Sequence, residues 1–159
     1  VQRIITLSGA SYVSRAVRAL QTPAGRAANL LNIGSRENDV FDFLFEQLID
    51  PPVPGDGAIG DGINLPNVVN IELDCPHTLN ALTEFGGYVA PPRRRMCHWS
   101  GYTRPGALRF YAHALRNPEQ ISLGALQRAV PQTAAPRWSR MFAPPKLPMT
   151  LPMPQKTTS

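Results

Sequence analysis

The chain has 159 residues, one domain's worth, with 43% apolar and 17% charged residues. The apolar share suits a globular protein, whereas the charge leaves less polar surface than a free-standing domain carries. Part of the domain is therefore expected to lie outside this chain. The net charge of +5 permits an anionic partner, but the arginines are scattered apart from Arg93, Arg94 and Arg95. No aromatic residues interleave with basic ones, so nucleic-acid binding is not expected. The two cysteines, Cys75 and Cys97, lack metal-site spacing and are too few for a disulfide framework. No run approaches the about 20 apolar residues of a membrane span, and no signal peptide is present. A soluble, cytoplasmic protein is the expectation.

In chain order, residues 1–7 (VQRIITL) form an apolar, β-branched run closed by Ser8-Gly9, which reads as a strand buried on both faces. A chain opening inside a strand suggests truncation or processing. Val13, Ala16, Val17 and Leu20 recur at helical spacing, and Thr22-Pro23 should stop that helix. Residues 29–33 (NLLNI) read as a second strand. Residues 38–49 (NDVFDFLFEQLI) form a helix whose apolar face gathers Val40, Phe41, Leu44, Phe45, Leu48 and Ile49. Ser35, Asn38 and Asp39 offer acceptors to its first turn.

Residues 50–66 (DPPVPGDGAIGDGINLP) are dense in Pro, Gly and Asp and read as a surface loop. GDGAIGDG lacks the ligand run and terminal Glu of a calcium-binding hand, so no metal is expected there. Residues 67–73 (NVVNIEL) make the third strand, with a helix near 78–84. A loop through GGYVAPPRRRMCHWSGYTRPG leads to a helix over 107–116, and a short helix is expected over 123–129. Residues 1–142 form the domain part, and 143–159 a Pro-rich tail that should pack little. Strands alternating with helices imply right-handed crossovers and a parallel sheet. Three strands make a small sheet, so the remaining ones are expected to precede Val1.

Ligands of open parallel sheets bind at the carboxyl ends of the strands. That singles out Ser8 to Ser11, Ser35 to Asp39, and Asp74 through His98. Asp39 follows the second strand and His98 the third, an arrangement in which an acid orients an imidazole as general base. Each has a plainer role available: Asp39 at its helix N-terminus, His98 packed beside Trp99. Asp42 and Glu37 are substitute acids, and His77 is the substitute base. His113 reads as a packed or partly exposed helical residue.

The succession resembles the C-terminal part of the α/β-hydrolase fold, in bacterial esterase- and lipase-like members, whose triad runs nucleophile, acid, histidine along the chain. RIITLSGASYVSRAVRAL is similar to the strand and helix after the nucleophile region. LNIGSRENDVFDFLFEQL resembles the acid-bearing strand and helix. NVVNIELD followed by CHWSGYTRPGALRFY resembles the last strand, histidine loop and final helix. The likeness covers roughly residues 1–117. It implies Asp39 as catalytic acid, His98 as base, a small-molecule ester as substrate, and neither cofactor nor metal. The chain departs from the family in lacking any G-x-S-x-G nucleophile elbow, which the pattern puts upstream of Val1. None of Ser8, Ser11, Ser35 and Ser100 sits in such a turn. The chain alone is therefore expected to be inactive, with the missing N-terminal segment of the same domain as its partner. The rival expectation is a non-catalytic α/β binding module, whose basic loop of Arg93 to Arg95 with Arg104 holds an acidic partner or phosphate.

Overall fold

The computed structural model describes residues 2–7, 9–36, 39–92 and 102–131, Asp39 by its backbone alone. Three strands, β1 (Arg3–Leu7), β2 (Asn29–Gly34) and β3 (Val68–Glu72), form one sheet in the order β1-β2-β3. Both pairings are parallel, with Ile5 opposite Leu31 and Leu31 opposite Val69. The helices are α1 (Val13–Leu20), α2 (Pro23–Arg26), α3 (Asp39–Leu48), α4 (Pro76–Glu84), α5 (Ala107–Arg116) and α6 (Leu123–Ala129). The mixed α/β class and the parallel sheet expected from the sequence are what the chain adopts. Residues 132–159, including the tail expected at 143–159, lie outside the described residues.

The sheet is buried on both faces because its strands alternate two apolar sets. Leu31, Ile33, Val69, Ile71 and Leu73 meet Leu82 of α4, Phe110 and Ala114 of α5, and Leu126 of α6. Leu30 and Val68, on the opposite face, meet Val17 and Leu20 of α1 together with Ile59 and Ile63. A near-continuous apolar strand is what a parallel sheet covered on both faces requires. The first crossover carries α1 onto the second face, and the residues between β2 and β3 return to it. Crossovers of one hand on one face carry the strand order steadily in one direction.

That second face also holds a polar ladder. Thr6, Asn32 and Asn70 stand side by side in register across the three strands. Thr6 Oγ1 donates to Asn32 Oδ1 at 2.8 Å, and Asn32 Nδ2 donates to Asn70 Oδ1 at 2.9 Å and to the Ile59 carbonyl at 2.8 Å. Asn70 closes the set by accepting from the Ile63 N–H and donating to its carbonyl. A buried amide is tolerated when its groups are matched in this way. These bonds fasten residues 59–63 to the sheet.

The stretch 50–66 is accordingly only in part the surface loop that its composition suggests: 50–52, 54 and 55 are exposed, but 56–60 and 63 are buried. Asp56, Ala58, Ile59 and Ile63 are all buried. Asp56 Oδ1 accepts from the Ser14 and Gly57 N–H groups, so this arm caps α1. The helix needs it, because its own N-cap position is Tyr12, whose side chain makes no capping bond. Tyr12 instead donates to the Ile49 carbonyl and its ring lies 4.9 Å from that of Phe45 at a 40° tilt, seating α3 against the start of α1. Gly60 is glycine for contact: a Cβ there would lie 2.3 Å from Asp42 Oδ2.

α3 also departs from expectation in orientation. Of its apolar set, Phe41, Leu44, Leu48 and Ile49 are exposed, Leu48 at 77%. The helix turns Asp42 and Glu46 toward the arm, where Glu46 Oε1 accepts the Ala58 N–H at 2.7 Å. α2 is an addition after the expected stop at Thr22-Pro23. Thr22 caps it by accepting from Gly25 N–H, and Pro23 occupies its first turn.

The two sheet edges differ. At the edge of β3, Gln127 Nε2 of α6 donates to the Pro66 and Val68 carbonyls at 3.0 and 2.9 Å. At the other edge, no strand among the described residues pairs with the outer side of β1, and Ile4 and Leu7 are exposed there. Arg3, by contrast, is buried, with Nη1 and Nη2 donating to the Ala114 and Pro118 carbonyls around the end of α5. The terminal carbonyls of a helix lack intrahelical donors, and a cation suits that end of its dipole.

Candidate functional site at the carboxyl end of the sheet

Gly34 closes β2, and the Leu73 N–H donates to its carbonyl at 2.9 Å, extending the β2–β3 pairing by one bond beyond β3. The next residue on each side continues the join through side chains: Ser35 Oγ donates to Asp74 Oδ2 at 3.0 Å. Ser35 is only 1% exposed and Asp74 is half-buried, so the bond is partly buried. Asp39 begins α3 four positions later. The connection bearing the expected acid therefore leaves the sheet against the connection that follows β3.

The second connection is anchored at both ends. The Ala90 N–H donates to the Pro105 carbonyl at 3.0 Å, so the chain between them starts and finishes together. Arg104 is buried, and its Nη1 donates to the Leu73 carbonyl at 2.5 Å, beside Asp74. Gly106 then starts α5 with φ of +89°, where a Cβ would strike the Tyr88 carbonyl at 1.7 Å. That conformation and that approach both require glycine. The segment carrying His98 is thus tied at its base to the carboxyl end of β3.

His98 itself, with Arg93, Arg94, Arg95, Cys97 and Ser100, lies outside the described residues, as do Ser8 and Glu37. The structure brings together the bases of the two connections; the Asp39 and His98 side chains are not among its described parts. The substitutes are placed elsewhere. Asp42 lies against Gly60 in the arm, and His77 is exposed in the first turn of α4. His113 sits inside α5 with Nδ1 2.9 Å from Asn117 Nδ2, the helical role expected for it. Ser11 is half-buried in the turn before α1, and Ser35 is committed to Asp74.

Ser35, Asp74 and Arg104 as a joined set were missed by sequence reasoning. The signal was a serine and an aspartate each just past a strand end, but nothing in the spacing announces that they meet. Arg104 had been expected in an exposed basic surface with Arg93 to Arg95. Its burial and its bond to Leu73 take it out of that surface.

The larger of two grooves among the described residues lies away from this end. A groove of about 630 Å³ runs beside the first half of β3, lined by Asp61, Asn64, Leu65, Asn70 and Gln127. Its two interior amides already hold backbone groups of Ile63, Pro66 and Val68. A smaller apolar groove of about 240 Å³ lies between α4 and Tyr88, Val89 and Pro91. Position at the strand ends outweighs size here, because ligands of open parallel sheets sit at that end. Among the described residues no three His, Cys, Asp or Glu groups stand together as a metal site. No described helix is long and apolar enough to cross a membrane. The chain matches no model of a known protein family, no curated protein and no solved structure.

Proposed function

We propose that this chain is the acid- and histidine-bearing part of a serine hydrolase that cleaves small carboxylic esters in the cytoplasm. The observation that carries the reading is the strand order. The Asp39 connection follows β2, the His98 connection follows β3, and the two strands are parallel neighbours, so both connections leave one end of the sheet. In this reading a serine supplied by a segment outside the chain attacks the ester carbonyl. His98 takes the serine proton and passes it to the departing alcohol; water then releases the acyl group by the reverse proton path. Asp39 holds the imidazole's tautomer and stabilises its charged form. The chemistry needs no cofactor.

The test is the titration of His98 followed by NMR, with His77 and His113 assigned by substitution. A carboxylate within hydrogen-bond reach favours the imidazolium, so Asp39→Asn is expected to lower the His98 midpoint by about one pH unit or more. Glu37→Gln and Asp42→Asn should leave it in place. An unchanged midpoint in Asp39→Asn contradicts the assignment, and a drop in Asp42→Asn or Glu37→Gln transfers the acid role to that residue.

A further inference from the structure

We infer that this chain pairs with a second copy of itself along the outer edge of β1, joining two sheets into one across a twofold axis. The inference is independent of the roles of Asp39 and His98. The Asn29 N–H donates to the Gln2 carbonyl, with Arg3 in register opposite Asn29. Backbone groups of successive strand residues point to alternate sides. Those of Gln2, Ile4 and Thr6 therefore serve β2, and those of Arg3, Ile5 and Leu7 point outward. Edges are ordinarily guarded by charge, proline or a bulge. Here the register is unbroken, and Arg3, the strand's one charge, is drawn inward to the Ala114 and Pro118 carbonyls.

The surfaces flanking that edge are apolar on both faces of the sheet. On α5, Phe110 points toward the chain after α4, where a Cβ on Gly87 would meet its ring at 2.7 Å. Leu108 and Leu115, seven residues apart, share the opposite flank of the helix, toward β1, and are 63% and 49% exposed. Leu7, on the same face of β1, is exposed as well. On the other face, Ser14 of α1 is held by the arm, which is tied to β2 and β3. The half-buried Ala16 and the exposed Ala19 lie on the opposite flank of α1, toward β1.

A second copy fits this edge better than a foreign strand because the edge is self-complementary. Antiparallel pairing centred on Ile5 sets Arg3 opposite Leu7 of the second copy and keeps both α5 helices on one face. α5 runs opposite to β1, since Arg3 at the start of the strand meets the end of the helix. Seven helical residues and three strand residues each cover about 10 Å, so Leu115 near the level of Arg3 puts Leu108 near that of Thr6. An axis at Ile5 then brings Leu108 of each copy against Leu115 of the other. Arg109 and Arg116 are exposed on the outer side of α5, away from that seam. On the reverse face, the alanines let the two α1 helices approach.

Sedimentation velocity on the full chain over a wide concentration range tests this. The expected result is a monomer–dimer equilibrium that salt hardly weakens, because the seam is apolar. Leu108→Lys and Leu115→Glu each put a charge into that seam twice, and each should raise the dimer dissociation constant by about a hundredfold. Combined, they should restore association to within about tenfold of the parent, since cation and anion then meet across the axis. Both positions are exposed, so the thermal transition should stay cooperative. Hydrogen exchange on the unaltered chain gives a second reading: the Ile5 and Leu7 amides should gain protection as concentration rises. A monomer throughout overturns the inference and leaves the edge to a foreign chain. A dimer in which these amides gain no protection, or which ignores both single substitutions, overturns it too. So does a double variant no tighter than the single ones, or open-ended assembly in place of a closed pair.

Discussion

The Tyr111 hydroxyl is buried on α5 and meets no hydrogen-bond partner among the described residues. Burial pushes its pKa well above that of a free phenol, with the nearby Arg104 guanidinium opposing the shift. Tyr12 is raised too, by burial first and then by Glu46 and Asp56. Both groups bind their proton more tightly folded than unfolded. Stability from this source is therefore complete below about pH 10, where the unfolded phenol titrates, and is lost as pH rises toward the folded values. Tyr111→Phe removes one such group and an unmatched hydroxyl. It should hold or raise stability at pH 7, by up to about 1 kcal/mol, and flatten the alkaline loss seen in denaturant titrations at pH 7 and 10.5. A loss of more than that at pH 7 would reveal a partner for the hydroxyl. At this scale the sequence was least legible. Asn32 sits inside the apolar run NLLNI, and nothing local distinguishes an asparagine in a ladder from one at a strand end. Only the register with Thr6 and Asn70, set by distant chain, gives it partners.

Elements were easier to read because local chemistry punctuates them. The ends of α5 and α6 follow from Pro105, Asn117-Pro118 and Ser122; β1 and β3 fall within the expected runs, and β2 runs one residue past its own, to Gly34. What composition could not show was burial. Pro, Gly and Asp in 50–66 signal turns, yet turns can be packed when side chains match their backbone groups, as Asn32, Asn70, Glu46 and Asp56 do here. The face of α3 misled for the related reason that helical periodicity identifies an apolar stripe without saying what covers it. The capping of α1 by the arm gives a prediction at this scale. Asp56→Ala removes the acceptor of two backbone N–H groups, one of them in the first turn of α1. It should destabilise the fold by about 2 kcal/mol in urea unfolding, the upper part of the range for a lost cap. A change below about 0.5 kcal/mol would show that the Asp56 cap contributes little to the fold.

For the whole molecule, three parallel strands with covered faces were legible because both their β-branched content and their connections pointed one way. The proposed site was legible only as far as the strand ends, since a pairing of Asp39 with His98 is a long-range contact that no periodicity encodes. The outer edge of β1, which no strand among the described residues pairs and beside which Ile4 and Leu7 are exposed, contrasts with the edge of β3, where Gln127 holds the Pro66 and Val68 carbonyls. An unpaired apolar edge is a site for a further strand. In the proposed function, the nucleophile belongs to chain outside this one. The present chain should therefore show no hydrolysis of a p-nitrophenyl butyrate substrate above buffer. Turnover abolished by a serine-directed phosphonate would contradict this and return attention to Ser8, Ser11, Ser35 and Ser100.

The most direct measurement of the central claim, that Asp39 and His98 are partners, is the tautomer of His98. Which ring nitrogen carries the proton is set by the hydrogen bond the imidazole makes. A long-range ¹H–¹⁵N correlation recorded above the His98 midpoint reads this without substrate or nucleophile. The pairing predicts the proton on Nδ1 in the parent chain and its redistribution toward Nε2 in Asp39→Ala. The same tautomer in both, or an Nε2 proton in the parent, would contradict it.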